Sequence, residues 1–461
     1  MSDLHELSAV TIGAMIAAGD VTSAECAEHF LTRIDAIDPQ VGAFTTVDAD
    51  GARTTAAAIG RGTGPLWGVP MAIKDLELTA GLRTTMGSAA FHDFVPEADS
   101  PIVTTLRAGG VVNLGKTTTP EFGLVCYSEP EGAAPARNPW DLDRSPSGSS
   151  GGAAAAVAAG MVPWAQGGDG GGSIRTPAST CGVVGLKPSR GRISSGNGRS
   201  DAIGFSVNGP LTRSIGDAAA ALDLMAGAIV GDTDWAPPAS FFDRTRPIER
   251  GLLIGRYTTP MTGMAVDQEC LDAVERATAL LSSLGHEVEE ISCPFPESMP
   301  DLFMTMWGAG AAAIALPPGA EDLMRPITRF FREMGAATSG GQAIGALGSL
   351  RELGRQSVAA TARFDAVLTP TLAQTPRLIG QLRNDADPQA EADALMSFTP
   401  FTPPYNVTGQ PVLSLPLHWD AGGLPIGVQL AGRPYGELTL LQLGAQLEQA
   451  APWVQRKPPV W

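Results

Sequence analysis

Of 461 residues only five are cysteine, at positions 26, 126, 181, 270 and 293. An odd count, wide spacing and the lack of a CxxC pair exclude a disulfide framework and argue against a zinc site. Reduced, mostly buried thiols are the expectation. Basic residues are the next shortage: 31 Lys and Arg face 48 Asp and Glu, a formal charge of −17. Lysine and arginine do not cluster, so neither a nucleic-acid partner nor an anionic membrane surface is expected. No stretch reaches the roughly 18 strongly apolar residues of a membrane span, and the Ala-rich run from Gly152 to Val162 is too short and too weakly apolar. The opening MSDLHELSAV begins with acidic residues and lacks a basic segment followed by an apolar one. A soluble, cytoplasmic chain is the expectation.

What the sequence has in quantity is apolar and turn-forming residues. Apolar residues make up 44% and charged residues 17%, enough for a large core and little that reads as disordered. The length suits two to four small domains or one large α/β unit. The 55 glycines and 37 prolines, spread without a three-residue period, imply many turns and close backbone approaches. Residues 22–37 carry a capping-box pattern, Thr22 with Glu25, and an apolar face of Ala27, Phe30, Leu31, Ile34 and Ile37, which predicts a helix. WGVPMAIKD and VVNLGKT read as buried strands between turns. A Ser/Gly segment over 145–152 opens an Ala-rich helix, and a second Gly-rich loop covers 167–172. Helices are expected over 214–229, 267–284 and 438–448, and strands at 252–254, 288–291, FDAVLTP, QPVLSLPL and PIGVQLAG. The segment 300–348 shows no strand period. Strands towards both ends with helices between predict one α/β domain whose first and last segments share a sheet.

One tempting motif is rejected. Gly110 to Thr117, GVVNLGKT, matches the phosphate-loop pattern GxxxxGK[ST] letter for letter. Such a loop needs a flexible turn and then a helix whose N-terminus faces the phosphate. Here VVNL is itself strand-like and Thr-Thr-Thr-Pro is a poor helix start, so a core strand ending in a turn is expected.

Residues 145–190 are the segment read for chemistry, beside the plainer reading of its glycine runs as ordinary loops. Gly167, Gly168, Gly170, Gly171 and Gly172 directly precede Ser173. Such a run lets successive backbone N–H groups converge on one point, which suits a developing oxyanion, and an adjacent hydroxyl is placed to be a nucleophile. Histidine, the usual base, occurs five times, at 5, 29, 92, 286 and 418, never in a catalytic-looking context, and the GxSxG elbow is missing. Lysine is the alternative. Lys74 ends the apolar run GVPMAIK, where desolvation favours the neutral amine. Holding a lysine of pKa ~10.4 neutral at pH 7 takes about 4.6 kcal/mol, which burial of an unpaired ammonium supplies. The residues leave a second reading open, an ion pair of Lys74 with Asp75 or another acid.

SGSSGG, the downstream GDGGGSIRTPA and CGVVGLKPS, and the upstream GVPMAIKD together resemble the amidase signature family of Ser–Ser–Lys hydrolases. GKTTTPEF, ARNPWDLDRSPSGSSGG, GPLTRS and YNVTGQPVLSLPL extend the likeness over nearly the whole chain. The resemblance implies a single α/β domain, a central mixed β-sheet covered by helices on both faces. Its catalytic core would lie at about 60–215 and 364–450, with a more variable helical layer at about 230–350. The implied reaction is hydrolysis of a small-molecule carboxamide to carboxylate plus ammonia or amine, with no metal or cofactor. Residue by residue, Ser173 becomes the acyl-forming nucleophile, Ser149 the bridging serine behind a cis peptide bond, and Lys74 the base reached through Ser149. The N–H groups of Gly170, Gly171, Gly172 and Ser173 would form the oxyanion hole, with Ser150, Asp169 and Arg175 supporting the two loops. Phe122, Gly123, Cys126 and Tyr127, with Trp307 and the 398–405 loop further away, are the candidates for the substrate pocket, with plain core as the other reading of each. The Gly, Ala, Met and Phe content of these segments favours an apolar acyl or aryl group over a charged one.

Two positions depart from the family pattern. Gly168 stands where Ser or Thr is frequent, and Ser147-Gly148 where Gly-Gly is usual. GDGGGSIR, NVTGQP and the terminal PPVW resemble a branch that includes the 6-aminohexanoate cyclic-dimer hydrolases. Two other functions stand beside a free-standing amidase. One is the A subunit of a tRNA-dependent amidotransferase, which passes ammonia to a partner. The other is a catalytically silent binding protein on the same fold, which intact Lys74, Ser149 and Ser173 argue against. The oligomeric state, monomer or homodimer, is left open.

Overall fold

The computed structural model describes residues 3–195 and 203–461. Among them one sheet holds eleven strands: β1 (Phe44–Val47), β2 (Pro70–Lys74), β3 (Val112–Thr117), β4 (Trp164–Asp169), β5 (Val184–Lys187), β6 (Val207–Thr212), β7 (Leu253–Arg256), β8 (Glu287–Glu290), β9 (Ala366–Pro370), β10 (Val412–Trp419) and β11 (Pro425–Gly432). Their order is β1-β3-β2-β4-β6-β5-β10-β11-β9-β7-β8. Pairing is parallel within β3-β2-β4 and β9-β7-β8. It is antiparallel between β1 and β3 and from β4 through β6, β5, β10 and β11 to β9. The two halves of the chain thus meet where β5 pairs with β10. Strands such as β2 and β11 are buried along their whole length, which is why they read as near-continuous apolar runs. The GVVNLGKT match falls largely in β3, with Lys116 buried, its ammonium on the Glu77 carbonyl and the Thr84 hydroxyl and 3.6 Å from Asp75.

Helix Ser23–Val41 starts where the capping box places it: the Glu25 N–H donates to Thr22 Oγ1 at 3.1 Å and the Thr22 N–H to the Glu25 carboxylate at 2.8 Å. With Ile215–Met225, Gln268–Ser283 and Glu437–Ala450 it flanks the sheet and contributes to the largest core. Helix Gly151–Ala158 is buried throughout, and only small residues fit there. A methyl group on Gly152 would lie 2.4 Å from the Thr118 backbone nitrogen.

The segment without a strand period is helical, as Met299–Ala312, Pro326–Ala337 and Gly340–Thr361, and with Pro388–Phe398 these helices pack on one another. One expectation changes. The Gly-rich segment is not one loop. Gly167 and Gly168 belong to β4, opposite Gly209 and Asn208 of β6, and only 170–172 turn. Glycine suits that strand because a methyl on Gly167 would lie 3.1 Å from Ser150 Oγ. Among the described residues no helix is long and apolar enough to cross a membrane.

Candidate active site

β2 and β4 run parallel as neighbours, with Ala72 opposite Ala165, so Lys74 and Asp169 end the two strands on the same side of the sheet. Helix Gly151–Ala158 begins there too, preceded by Ser149. The Gly148–Ser149 peptide is cis, and Lys74 Nζ lies 2.7 Å from Ser149 Oγ and 3.1 Å from the Gly168 carbonyl. Lys74 is 2% exposed. Burial lowers its pKa from 10.5 to about 7, against the upward pull of Asp169 and Glu77. The alternative partner, Asp75, binds Thr85 and faces Lys116 instead. Adjacent residues at a strand end point to opposite sides, which keeps Asp75 away from the Lys74 ammonium.

Ser150 joins the two loops. Its N–H donates to the Ser173 carbonyl at 3.1 Å, its hydroxyl to the Gly168 carbonyl at 3.1 Å, and it accepts from the Gly168 N–H at 3.2 Å. Asp169 and Arg175 form a fully buried pair with contacts of 2.8 and 2.9 Å. Burial by itself would raise the Asp169 carboxyl, but the Arg175 guanidinium holds it well below the usual carboxylate range. The same carboxylate accepts from the N–H groups of Gly172 at 2.8 Å and Ile174 at 3.1 Å and from the Asn406 amide at 2.9 Å. This corrects the expected oxyanion set, because the Gly172 amide is committed to Asp169. The amides of Gly170, Gly171 and Ser173 donate to no described residue. No hydrogen bond joins the hydroxyls of Ser149 and Ser173.

The two departures from the family pattern have local explanations. Ser147 adopts φ +64°, the left-handed region where glycine is usual, and its hydroxyl donates to the Cys126 carbonyl at 3.0 Å. At Gly168 there is room for a side chain: a methyl there would lie 4.0 Å from Lys74 Nζ.

A cavity opens at Ser173 and Gly171. Gly123, Cys126, Trp307, Thr399 and Pro403 line it, together with Phe303, Met304, Phe331, Leu395 and Met396, which the sequence reading missed. Phe122 and Tyr127 do not line it. Phe122 sits edge-on to Phe91 at 5.9 Å. Tyr127 is fully buried behind the wall, its hydroxyl hydrogen-bonded to Glu391 and Arg325. Burial pushes the Cys126 thiol up. Asn406 and Thr402 were also missed as turn supports. Asn406 holds Asp169 and Thr402 Oγ1 donates to the Gly171 carbonyl at 2.7 Å, and the signal for Asn406 was its place in NVTGQP.

A family profile described as Amidase matches residues 25–441. A putative amidase of a Synechocystis strain is 36% identical over 97% of this chain and 89% of its own. The structure of a 6-aminohexanoate cyclic dimer hydrolase superposes with a TM-score of 0.91 at 33% identity, covering 99% of both chains. That of the glutamyl-tRNA(Gln) amidotransferase A subunit of Thermotoga maritima gives 0.83 at 28% identity, covering 100% of this chain and 99% of that one.

Proposed function

The chain belongs to the amidase signature family, hydrolases of amide C–N bonds, and from that premise we propose that it cleaves small, uncharged amides through an acyl-enzyme on Ser173. In this reading the Ser173 hydroxyl turns towards Ser149 as substrate binds and attacks the carbonyl carbon. Its proton passes to Ser149 Oγ while the Ser149 proton passes to neutral Lys74. The amides of Gly170, Gly171 and Ser173 receive the oxyanion. Collapse of the tetrahedral intermediate breaks the C–N bond, and the relay run backwards protonates the leaving amine. Water then adds by the same route, releasing carboxylate and restoring Ser173. The observation that carries the reading is Lys74, buried with no carboxylate in contact among the described residues, its pKa lowered to about 7, 2.7 Å from Ser149.

The amidotransferase reading has less support: the net charge of −17 offers little to a tRNA, and the overlay on that protein is looser. Intact mass after incubation with a small fluorophosphonate tests the assignment. One adduct on the wild type and none on Ser173→Ala is expected. An adduct retained by the variant, or amide hydrolysis by a wild type that takes no adduct, refutes it.

A further inference from the structure

Resting on the reading of Ser173 as nucleophile, we propose that the site selects amides bearing a flat, uncharged aromatic ring, with Phe303 and Trp307 as the residues that select it. Phe205, Phe303 and Trp307 form a stacked column, with centroids 5.3 Å apart and planes 10° apart in the first pair, and 5.4 Å and 21° in the second. The column stands directly on the glycine turn. A methyl on Gly170 would lie 2.9 Å from Ser206 Oγ and 3.4 Å from the Trp307 ring, and one on Gly171 3.5 Å from the tip of Phe303. Phe303 and Trp307 also line the cavity that opens at Gly171 and Ser173, so a substituent on a carbonyl held at that turn lies within reach of these rings. Trp307 is also fixed in place, because its Nε1–H donates to the Leu124 carbonyl at 3.2 Å while Phe303 covers one face.

Among the described residues no charged side chain lines the cavity, and its polar groups are those of Ser173, Cys126, Thr399 and the Trp307 indole N–H, which is already bonded to Leu124. An ionised substituent would lose its water there without gaining a partner. A phenyl and a cyclohexyl group bury similar apolar area, so area does not separate them. Only the planar ring adds the offset or edge-to-face contact that aromatic pairs gain beyond burial.

The test uses two substrate pairs in which a methylene separates the amide from the ring, and each ratio is taken relative to that for alkaline hydrolysis of the same pair. 2-Phenylacetamide against 2-cyclohexylacetamide reports the acyl side, and N-benzylacetamide against N-(cyclohexylmethyl)acetamide the amine side. The phenyl member of one pair is expected to have a kcat/KM about 3- to 10-fold higher, the size of one aromatic contact. Phe303→Leu and Trp307→Leu should bring the ratio close to one, and a ratio measured within one sample does not depend on the fraction folded. Calorimetric titration of Ser173→Ala should show the same preference in Kd. Parity or a cyclohexyl preference in both pairs, or a phenyl preference that survives both substitutions, overturns the proposal. If Ser173→Ala binds the phenyl member preferentially while the wild type neither hydrolyses it nor takes a fluorophosphonate, the nucleophile assignment has failed and the ring selection stands. A labelled Ser173 without ring preference overturns the selection alone.

Discussion

Replacing Lys74 by methionine should make the protein more stable, and by an amount that depends on pH. Burial moves the Lys74 pKa from 10.5 to about 7. At about 1.36 kcal/mol per unit, the buried ammonium is disfavoured by about 5 kcal/mol relative to the neutral amine. Below pH 7 folded and unfolded chains both carry the proton, and folding bears the whole of that cost. Between pH 7 and 10.5 the unfolded chain holds a proton that the folded one lacks, so wild-type stability rises with pH. Above 10.5 the cost is gone. Methionine has similar length and no charge. Lys74→Met is therefore expected to exceed wild type by about 3–5 kcal/mol at pH 6, with the gap closing by about 1.4 kcal/mol per unit above pH 7. Near pH 10.5 the missing hydrogen bonds to Ser149 and Gly168, about 1 kcal/mol each, reverse its sign.

An unfolding entropy of about 2.1 cal/mol/K per residue makes the pH 6 gap about 3–5 °C in Tm. Lys116 and Lys187, whose pKa values burial lowers to about 8 and about 7, titrate in the same window but are common to both proteins and cancel. Paired thermal melts at pH 6, 8 and 10 make the measurement. The wild-type kcat/KM should show an independent acid limb near pH 7, losing tenfold per unit below it. A variant no more stable than wild type at pH 6, or a gap that does not change with pH, would mean that the ammonium is well solvated or paired, and the base assignment would fall with it.

Ser149→Ala should lower kcat about 10²- to 10⁴-fold with little change in KM, read by steady-state hydrolysis of a primary amide, because it removes the relay but no wall of the cavity. Gly123→Ala should also lower kcat, by at least about tenfold. Its backbone has φ +70°, and a methyl there would lie 3.2 Å from Ser149 Oγ and 2.7 Å from Leu76 Cδ1; the left-handed backbone adds a stability loss of about 1–2 kcal/mol, visible in the melt. Arg325→Met should cost about 3–5 kcal/mol by denaturant unfolding, because it strips a buried guanidinium from Tyr127, Asp385 and Glu391. It should also raise KM for pocket-filling amides. Tyr127 adjoins the wall residue Cys126, Glu391 sits on the helix that carries Leu395, and Arg325 itself precedes the helix that carries Phe331.

Local chemistry by itself determined a large part of this protein. The capping box of Thr22 and Glu25 started a helix where it predicts one, and the apolar runs became buried strands, because period and capping act between residues close in the chain. The rejected phosphate loop followed from the same local reasoning, since VVNL prefers a strand. The family resemblance, carried by the order of motifs, pointed to Lys74, Ser149 and Ser173, and the Lys74–Ser149 contact forms between residues 75 positions apart.

Other features were decided only when distant segments met. The five-glycine run looked uniform, yet pairing with β6 drew Gly167 and Gly168 into a strand, while the Asp169 carboxylate claimed the Gly172 amide. Lys74 and Asp75 are neighbours in the chain but part at the end of β2, and the side chain that meets Asp75 comes from β3. Most of the cavity wall, Phe303, Trp307, Phe331 and Leu395, belongs to helices whose apolar residues look like ordinary core until those helices pack. A pocket is defined by which surfaces fail to touch, and that depends on the whole packing arrangement and not on the pattern of any one segment.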